Sequence, residues 1–173
     1  MQIKKYKKLP STQIFIKNLK NPKSWLTVVA EKQTTGYGRK GAIWYSPEGG
    51  LYFSVILPKS QIEDLQTLTI LAAFIVAKVI KENFNLEPLI KLPNDVLIGS
   101  KKVCGILTEN IVGKEIKLSV MGVGLNTNIE KFPKELGDLA TSLKMELGRR
   151  VDNEKILKQI VKGLREQFKT ISQ

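Results

Sequence analysis

Apolar and polar positions along the chain repeat with two different periods, and the changes of period mark out its elements. Residues 26–33, opening Leu26-Thr27-Val28-Val29-Ala30, and the run Leu51–Leu57 are rich in β-favouring residues and bounded by turn formers, so each predicts a strand. Ile14, Phe15, Ile16 and Leu19 follow Ser11-Thr12-Gln13. This predicts a short helix starting near Ser11 with a hydroxyl N-cap and stopping before Asn21-Pro22. Residues 62–83 carry Leu65, Leu68, Leu71, Ala72, Ile75, Val76, Val79 and Ile80 around almost the whole circumference, the pattern of a long helix buried against a sheet. Shorter strands are predicted over 89–92, 96–98, 102–109 and 115–123, with Gly99-Ser100 and Gly113-Lys114 as hairpin turns. A helix around 138–146 and an amphipathic one over 153–169 follow, the second with Ile156, Leu157, Ile160, Val161, Leu164 and Phe168 on one face. Consecutive hairpins with helices between them predict an α+β fold: a mixed, largely antiparallel sheet with helices packed on it.

Composition narrows the chemistry. The chain has 173 residues, enough for one domain that buries about 70% of its unfolded surface. No repeat, low-complexity tract or linker divides it, so residues 1–173 are expected as a single domain. It contains no histidine and one cysteine, Cys104. That excludes histidine acid–base chemistry, internal disulfides and cysteine-rich zinc sites, and it fits a reducing cytosol. The most apolar stretch, Leu68 to Ala77, is too short to span a bilayer, and the lysine-rich start lacks the apolar core of a secretory signal. A cytoplasmic location with no membrane partner is expected. The net charge of +12 raises the question of nucleic acid. Its lysines are scattered, however, and no recognition-helix, zinc-finger or RNA-binding signature accompanies them, so DNA is not an expected partner. Such a surface also suits a polyphosphate substrate or an acidic protein.

Four segments carry candidate chemistry. Gly36-Tyr37-Gly38-Arg39-Lys40-Gly41 has the spacing of a phosphate-binding glycine loop. A dinucleotide cradle needs a helix opened by the last glycine; Ala42-Ile43-Trp44-Tyr45-Ser46-Pro47 follows instead. A kinase loop needs a His-Arg-Asp partner, absent here. What remains is a pair of cations between glycines, on a loop that is otherwise a solvated turn. Lys91-Leu92-Pro93-Asn94-Asp95 reads by default as a β-turn, and alternatively as a phosphate and Mg²⁺ site with Asp95 as a hard oxygen ligand. Lys102-Val103-Cys104-Gly105 brings a lysine into an apolar strand beside a glycine that admits close approach. Gly122-Val123-Gly124-Leu125-Asn126 ends a strand with two glycines and an amide.

Taken in order with Ser11-Thr12-Gln13, Gln33 and Leu51-Tyr52-Phe53-Ser54, and with the third segment extended to Glu109, these segments resemble the catalytic domain of a biotin–protein ligase. The resemblance covers residues 11–126. It implies the class II aminoacyl-tRNA synthetase/biotin ligase-like version of the α+β fold. It further implies ATP-dependent biotinylation of a lysine on an acidic biotin carboxyl carrier protein through biotinyl-5′-AMP, with biotin and the ATP–Mg²⁺ complex as substrates and no bound prosthetic group. By resemblance, Arg39 and Lys102 are catalytic. Ser11, Thr12, Gln13, Gln33, Gly36, Tyr37, Gly38 and Gly105 join them around biotin. Lys40, Trp44, Lys91, Asn94 and Asn126 serve ATP with Arg39, and Asp95 serves Mg²⁺.

Departures from the family pattern are local. Tyr37 stands where the family has the first arginine of its loop, which removes a cation and offers a ring to the ligand. Leu92 replaces a tryptophan, and Lys40 replaces an arginine, keeping charge without bidentate geometry. Because the motifs begin at Ser11 and the chain stops after its final helix, the expectation is a catalytic domain without the DNA-binding or C-terminal β-barrel domain of relatives, and hence no repressor activity. A homodimer is compatible with the exposed sheet edges. Two other functions stay open at this point: lipoyl or octanoyl transfer, with Cys104 as a thiol nucleophile, and a non-catalytic biotin or nucleic-acid binder.

Overall fold

The computed structural model describes residues 2–58, 64–112 and 116–171. Its elements in chain order are β1 (Gln2–Leu9), α1 (Thr12–Lys17), β2 (Leu26–Gln33), β3 (Leu51–Leu57), α2 (Leu65–Phe84), β4 (Pro88–Lys91), β5 (Asp95–Ile98), β6 (Lys101–Val112), β7 (Ile116–Leu125), α3 (Leu143–Leu147) and α4 (Asn153–Ile171). The strands form one sheet in the order β1-β2-β3-β7-β6-β5-β4. Only the β1–β2 pair is parallel. The expected mixed, largely antiparallel architecture is present.

Helices cover both faces, which is why every residue of β3 is buried. Its odd-numbered residues Phe53, Val55 and Leu57 join Met121, Val123 and Leu125 of β7 against Ala72, Val76 and Ile80 of α2 and Ile156, Ile160 and Leu164 of α4. The opposite face is shorter: Ile16 of α1 packs on Val28, Ala30, Ile56 and Val120. Each large side chain fully removed from water contributes about 1.5–3 kcal/mol, so the first cluster dominates stability. The second mainly positions α1. Ser11 caps α1 as expected, its side chain accepting from Ile14 N, and Asp64 caps α2 through the amides of Gln66 and Thr67.

Two sequence expectations need correction. Gln2–Leu9 is a strand that was not foreseen. Its apolar residues Ile3, Tyr6 and Leu9 are spaced by three, because Ile3 serves the larger core while Tyr6 and Leu9 serve the smaller, so no clean alternation appears. The helix expected around 138–146 is confined to Leu143–Leu147, capped by Ser142. Before it, residues 137–139 form a turn after the 3₁₀ segment Lys134–Leu136, and Ala140 bridges to Lys102 in parallel, with Lys102 N donating to Leu139 O and Thr141 N to Lys102 O. The Gly113-Lys114 turn lies outside the described residues.

Edge strand β1 is tied to α4 by an ion-pair cluster. Lys5 Nζ lies 2.7 Å and Lys158 Nζ 2.8 Å from the two oxygens of Glu154. Their hydrogen bonds and charges hold its carboxyl down at about 2, below the ordinary 4.5. A depressed folded pKa means stabilisation present above the unfolded value and lost as pH falls toward the folded one. Thermal melts should therefore show Glu154→Gln less stable than the parent near neutrality, the two converging between pH 4.5 and about 2. The effect is small because the cluster is exposed.

Candidate active site

Alternation along the strands decides what meets on the α1 face. Ser54 points there from the otherwise apolar β3. Gly122 and Gly124 of β7, with Gly105, Leu107 and Glu109 of β6, share that face. Lys102 reaches it through a register shift: Val96 pairs with Cys104 but Leu97 pairs with Lys102, so Val103 has no partner in β5. Lys102 and Gly105, three apart, consequently line the same cavity of about 370 Å³.

Two hydrogen-bonded groups line this cavity. One is uncharged. Thr12 N donates to Gln33 Oε1 at 2.8 Å, Thr12 Oγ1 lies 2.9 Å from Ser54 Oγ, Ser54 Oγ donates to Gln13 Oε1 at 2.8 Å, and Gln33 Nε2 donates to Ser46 Oγ at 2.9 Å. Ser11, Thr12 and Gln13 are almost fully buried, a small polar set in an apolar setting of the kind that orients a polar ligand head. The other group is charged. Lys102 Nζ sits 2.7 Å from Asp95 Oδ1; Asn94 Nδ2 donates to the same oxygen at 2.8 Å; Arg39 Nη1 donates to Asn94 Oδ1 at 3.2 Å. A neutral amide thus joins Arg39 to the Lys102–Asp95 pair. Among the described residues neither Arg39 nor Lys40 is ion-paired, so both retain charge for an anion.

The glycine segment is a small hairpin rather than a phosphate cradle. Trp44 N donates to Gly36 O, Gly38 N donates to Ala42 O, and Tyr37 bridges to Ile43. A 3₁₀ turn, Arg39–Gly41, forms the tip, with Lys40 at φ 56° and Gly41 at φ 74° in the left-handed region. Gly36 lies at the base, where a Cβ would come within 2.6 Å of Ser46 Oγ. Tyr37 does not leave its ring end free: Oη donates to Glu109 Oε2 at 2.8 Å. Burial first, then that hydrogen bond and the carboxylate's charge, push the phenol well above its ordinary range, so it remains a donor.

Trp44 lies against the sheet where Gly105 and Gly124 pair across β6 and β7. A Cβ on Gly124 would meet Trp44 Nε1 at 2.3 Å, and one on Gly105 would meet Cζ3 at 2.8 Å. Lys102 Nζ lies 5.1 Å from the centre of the indole. The buried Nε1 of Trp44 and the buried Oδ1 of Asn126 have no hydrogen-bond partner among the described residues; Trp44 lines the cavity, so its N–H is a donor that a ligand there can satisfy. Gly124→Ala forces the rigid indole off the sheet. We expect it to cost about 1–3 kcal/mol of stability, the usual result of overpacking, and to shift tryptophan emission. Parent-like melting and emission would show that the ring has room to spare.

A profile of the Biotin/lipoate A/B protein ligase family matches residues 6–126, more than half of the chain. The chain belongs to that family. Among curated family members, it is 40% identical over 139 residues to the bifunctional ligase/repressor BirA of Bacillus subtilis, an alignment covering 78% of this chain and 43% of that protein. The chain therefore spans less than half the length of that relative. Among solved structures, the biotin protein ligase of Aquifex aeolicus in complex with biotin and ATP superposes with a TM-score of 0.91 at 33% identity, over 99% of this chain and 72% of that one. A Plasmodium falciparum protein in complex with lipoate matches at a TM-score of 0.56 and 16% identity, a likeness of fold alone.

Set against the family's motifs, most sequence-derived site residues converge. Ser11, Thr12, Gln13, Gln33, Tyr37, Gly38, Arg39, Lys40, Trp44, Asn94, Asp95, Lys102 and Gly105 line the one cavity. Gly36, Lys91 and Asn126 stand outside its lining. Lys91 is exposed at the end of β4. Asn126 is buried, its Nδ2 donating to Thr141 O at 3.0 Å and Lys102 O at 3.4 Å, so it braces the backbone of Lys102. Ser54 and Glu109 belong to the site's hydrogen-bond network but had been assigned no role. The signal for Ser54 was visible, a hydroxyl set in a largely apolar strand, whereas Glu109 lies between Thr108 and Asn110 and does not stand out.

Proposed function

We propose that this chain joins biotin to a lysine of a carboxyl-carrier protein in two steps, both at the cavity described above. In the first, the biotin carboxylate attacks the α-phosphorus of ATP, forming biotinyl-5′-AMP and expelling pyrophosphate. In the second, a neutral lysine amine of the carrier attacks the acyl carbon, forming an amide and releasing AMP and a proton. One observation carries this: the cations Arg39 and Lys102, linked through Asn94 and Asp95, line the same cavity as the Ser11–Gln13, Gln33 and Ser54 group. The uncharged group suits a ureido head with its carbonyl and two N–H donors. The cations answer the main cost of adenylation. Two unit charges about 4 Å apart repel by roughly 4 kcal/mol at an effective dielectric near 20, and fixed cations cancel that term without reorganising. Histidine is not required, because the mixed anhydride carries its own activated leaving group.

Mg²⁺ fits this cavity as part of the nucleotide substrate. Asp95 is the carboxylate lining it, and among the described residues no group of three or more His, Cys, Asp or Glu side chains could hold a metal ion. The ion would thus rest chiefly on the phosphates, as Mg²⁺ commonly does. Lipoyl transfer through Cys104 finds no support. That thiol is buried in the α2–α4 core, and burial pushes it far above the ordinary thiol range, whereas a nucleophile needs the thiolate. The +12 net charge favours an acidic carrier. A cytoplasmic location belongs to this proposal; among the described residues no helix is long and apolar enough to cross a membrane. So does a homodimer, for which β1 and β4 supply open sheet edges.

The test is pyrophosphate exchange. Labelled pyrophosphate should enter ATP only when biotin is present. Exchange driven by lipoate or octanoate and not by biotin would overturn the assignment in favour of the transferase.

A further inference from the structure

Resting on the biotin assignment, we propose that Glu109 is a positioning residue for the biotin head: it sets the donor–acceptor polarity of the pocket and anchors the glycine hairpin to it. Glu109 stands on β6 with its side chain 28% exposed. Oε2 accepts from Gln13 Nε2 at 3.0 Å and from Tyr37 Oη at 2.8 Å, and Oε1 lies 3.2 Å from Lys17 Nζ. One carboxylate thus holds two residues of α1 and one of the hairpin.

The polarity follows from what each group is able to donate. A carboxylate only accepts, so Gln13 must turn its NH₂ toward Glu109, and the same nitrogen reaches Val120 O at 3.2 Å. Gln13 Oε1 is thereby left to accept the single hydroxyl proton of Ser54. Ser54, its proton committed, can only accept from Thr12 Oγ1 across 2.9 Å, the shorter of two contacts open to that proton, the other being Gln33 Oε1 at 3.2 Å. Gln33 Oε1 is already served by the Thr12 amide, so Gln33 Nε2 donates onward to Ser46, whose hydroxyl donates to Trp44 O. Trp44 N closes the circuit on Gly36 O, one residue from Tyr37. The ring of bonds begins and ends on the hairpin. Glu109 sets the direction of the Gln13–Ser54–Thr12 arm, and the Thr12 amide sets that of the Gln33–Ser46–Trp44 arm.

The consequence is a pocket with fixed electronic sense. Lone pairs on Ser54 and Thr12 meet the ureido N–H groups. Ser11 accepts from Ile14 N, and its proton has no acceptor among the described residues, which leaves it for the ureido carbonyl. An amide in place of Glu109 weakens the constraint, leaving Val120 O as the one remaining partner of Gln13 Nε2 that only accepts. Gln13 then inverts more readily, and in the inverted state Ser54 accepts from it and the hydroxyl protons point at the ligand's own donors. Tyr37 explains the local departure from its family: the residue that replaces a cation donates a hydrogen bond to this hub instead of contributing charge.

The experiment measures kcat and KM for biotin and for ATP in pyrophosphate exchange, with the parent, Glu109→Gln and Tyr37→Phe, each checked for folding by circular dichroism. Glu109→Gln should raise the biotin KM about tenfold while kcat and the ATP KM stay within about twofold, the signature of lost uniform binding to one substrate. Tyr37→Phe, which unties the hairpin but leaves Gln13 oriented, should raise the biotin KM about threefold. An unchanged biotin KM in Glu109→Gln, or biotin and ATP constants rising together, overturns the proposal. If Glu109→Gln does not fold, Tyr37→Phe decides, and a parent-like biotin KM there overturns it. A parent protein without biotin-dependent exchange would instead remove the biotin assignment itself, before any variant is compared.

Discussion

Lys102→Ala is expected to lower biotin-dependent pyrophosphate exchange by about a thousandfold, the upper range for deleting one fixed stabiliser of developing charge. The structure adds a reason beyond the missing cation. Asp95, whose carboxylate Lys102 contacts at 2.7 Å, is left as a partly buried negative charge in a cavity that, on the proposed function, takes up a second carboxylate and a triphosphate. The variant site is therefore repulsive rather than neutral. Adding Asp95→Asn to Lys102→Ala should recover about tenfold, because it removes the uncompensated charge without restoring the cation. Exchange rates of the parent, single and double variants measure both effects. A double variant no better than Lys102→Ala would show that Asp95 contributes nothing once its partner is gone.

Arg39→Gly should act on retention of the intermediate. Arg39 is exposed at the hairpin tip, and its hydrogen bond to Asn94 joins that tip to the loop between β4 and β5. Without the guanidinium, the tip loses this tie and the adenylate loses a charge partner. Exchange should continue at a reduced rate, while biotin appears on lysines of a bystander protein about tenfold faster than with the parent. Quantifying label on an unrelated protein alongside the carrier tests this. Labelling confined to the carrier, at the parent's efficiency, would remove Arg39 from the closure of the site.

Much of this architecture was legible from residue order, and the exceptions share a physical cause. Strands Leu26–Gln33 and Leu51–Leu57 and the Ser11 cap are local properties, written in β-branched runs and a hydroxyl before an apolar stripe. Strand Gln2–Leu9 was hidden because its apolar residues divide between two cores. The helix expected around 138–146 lost its first residues to pairing with Lys102, a partner some forty positions earlier. The site behaved likewise. Motif order nominated Arg39, Lys102 and the Ser11–Gln13 group, but it could not reveal that Trp44 lies on the Gly105–Gly124 pair, or that Tyr37, Gln13 and Lys17 meet on Glu109. Those facts depend on the β6–β7 register, which sets Gly105 opposite Gly124 and Glu109 opposite Val120.

The register shift that brings Lys102 into the cavity bears on how one ammonium would serve both steps of the proposed reaction. The Lys102 backbone is held on several sides, its N–H by Leu139 and its carbonyl by Thr141 and Asn126. The side chain above it is a tether on a fixed pivot. Its head group can swing between the Asp95 carboxylate, where it rests, and whichever anion enters the arc it sweeps. Travel along that arc costs torsional adjustments in a four-carbon stem and no movement of the main chain. On the proposed function, a single cation would be enough for an incoming carboxylate and, later, for the acyl-phosphate made from it, the resting partner returning each time the arc empties.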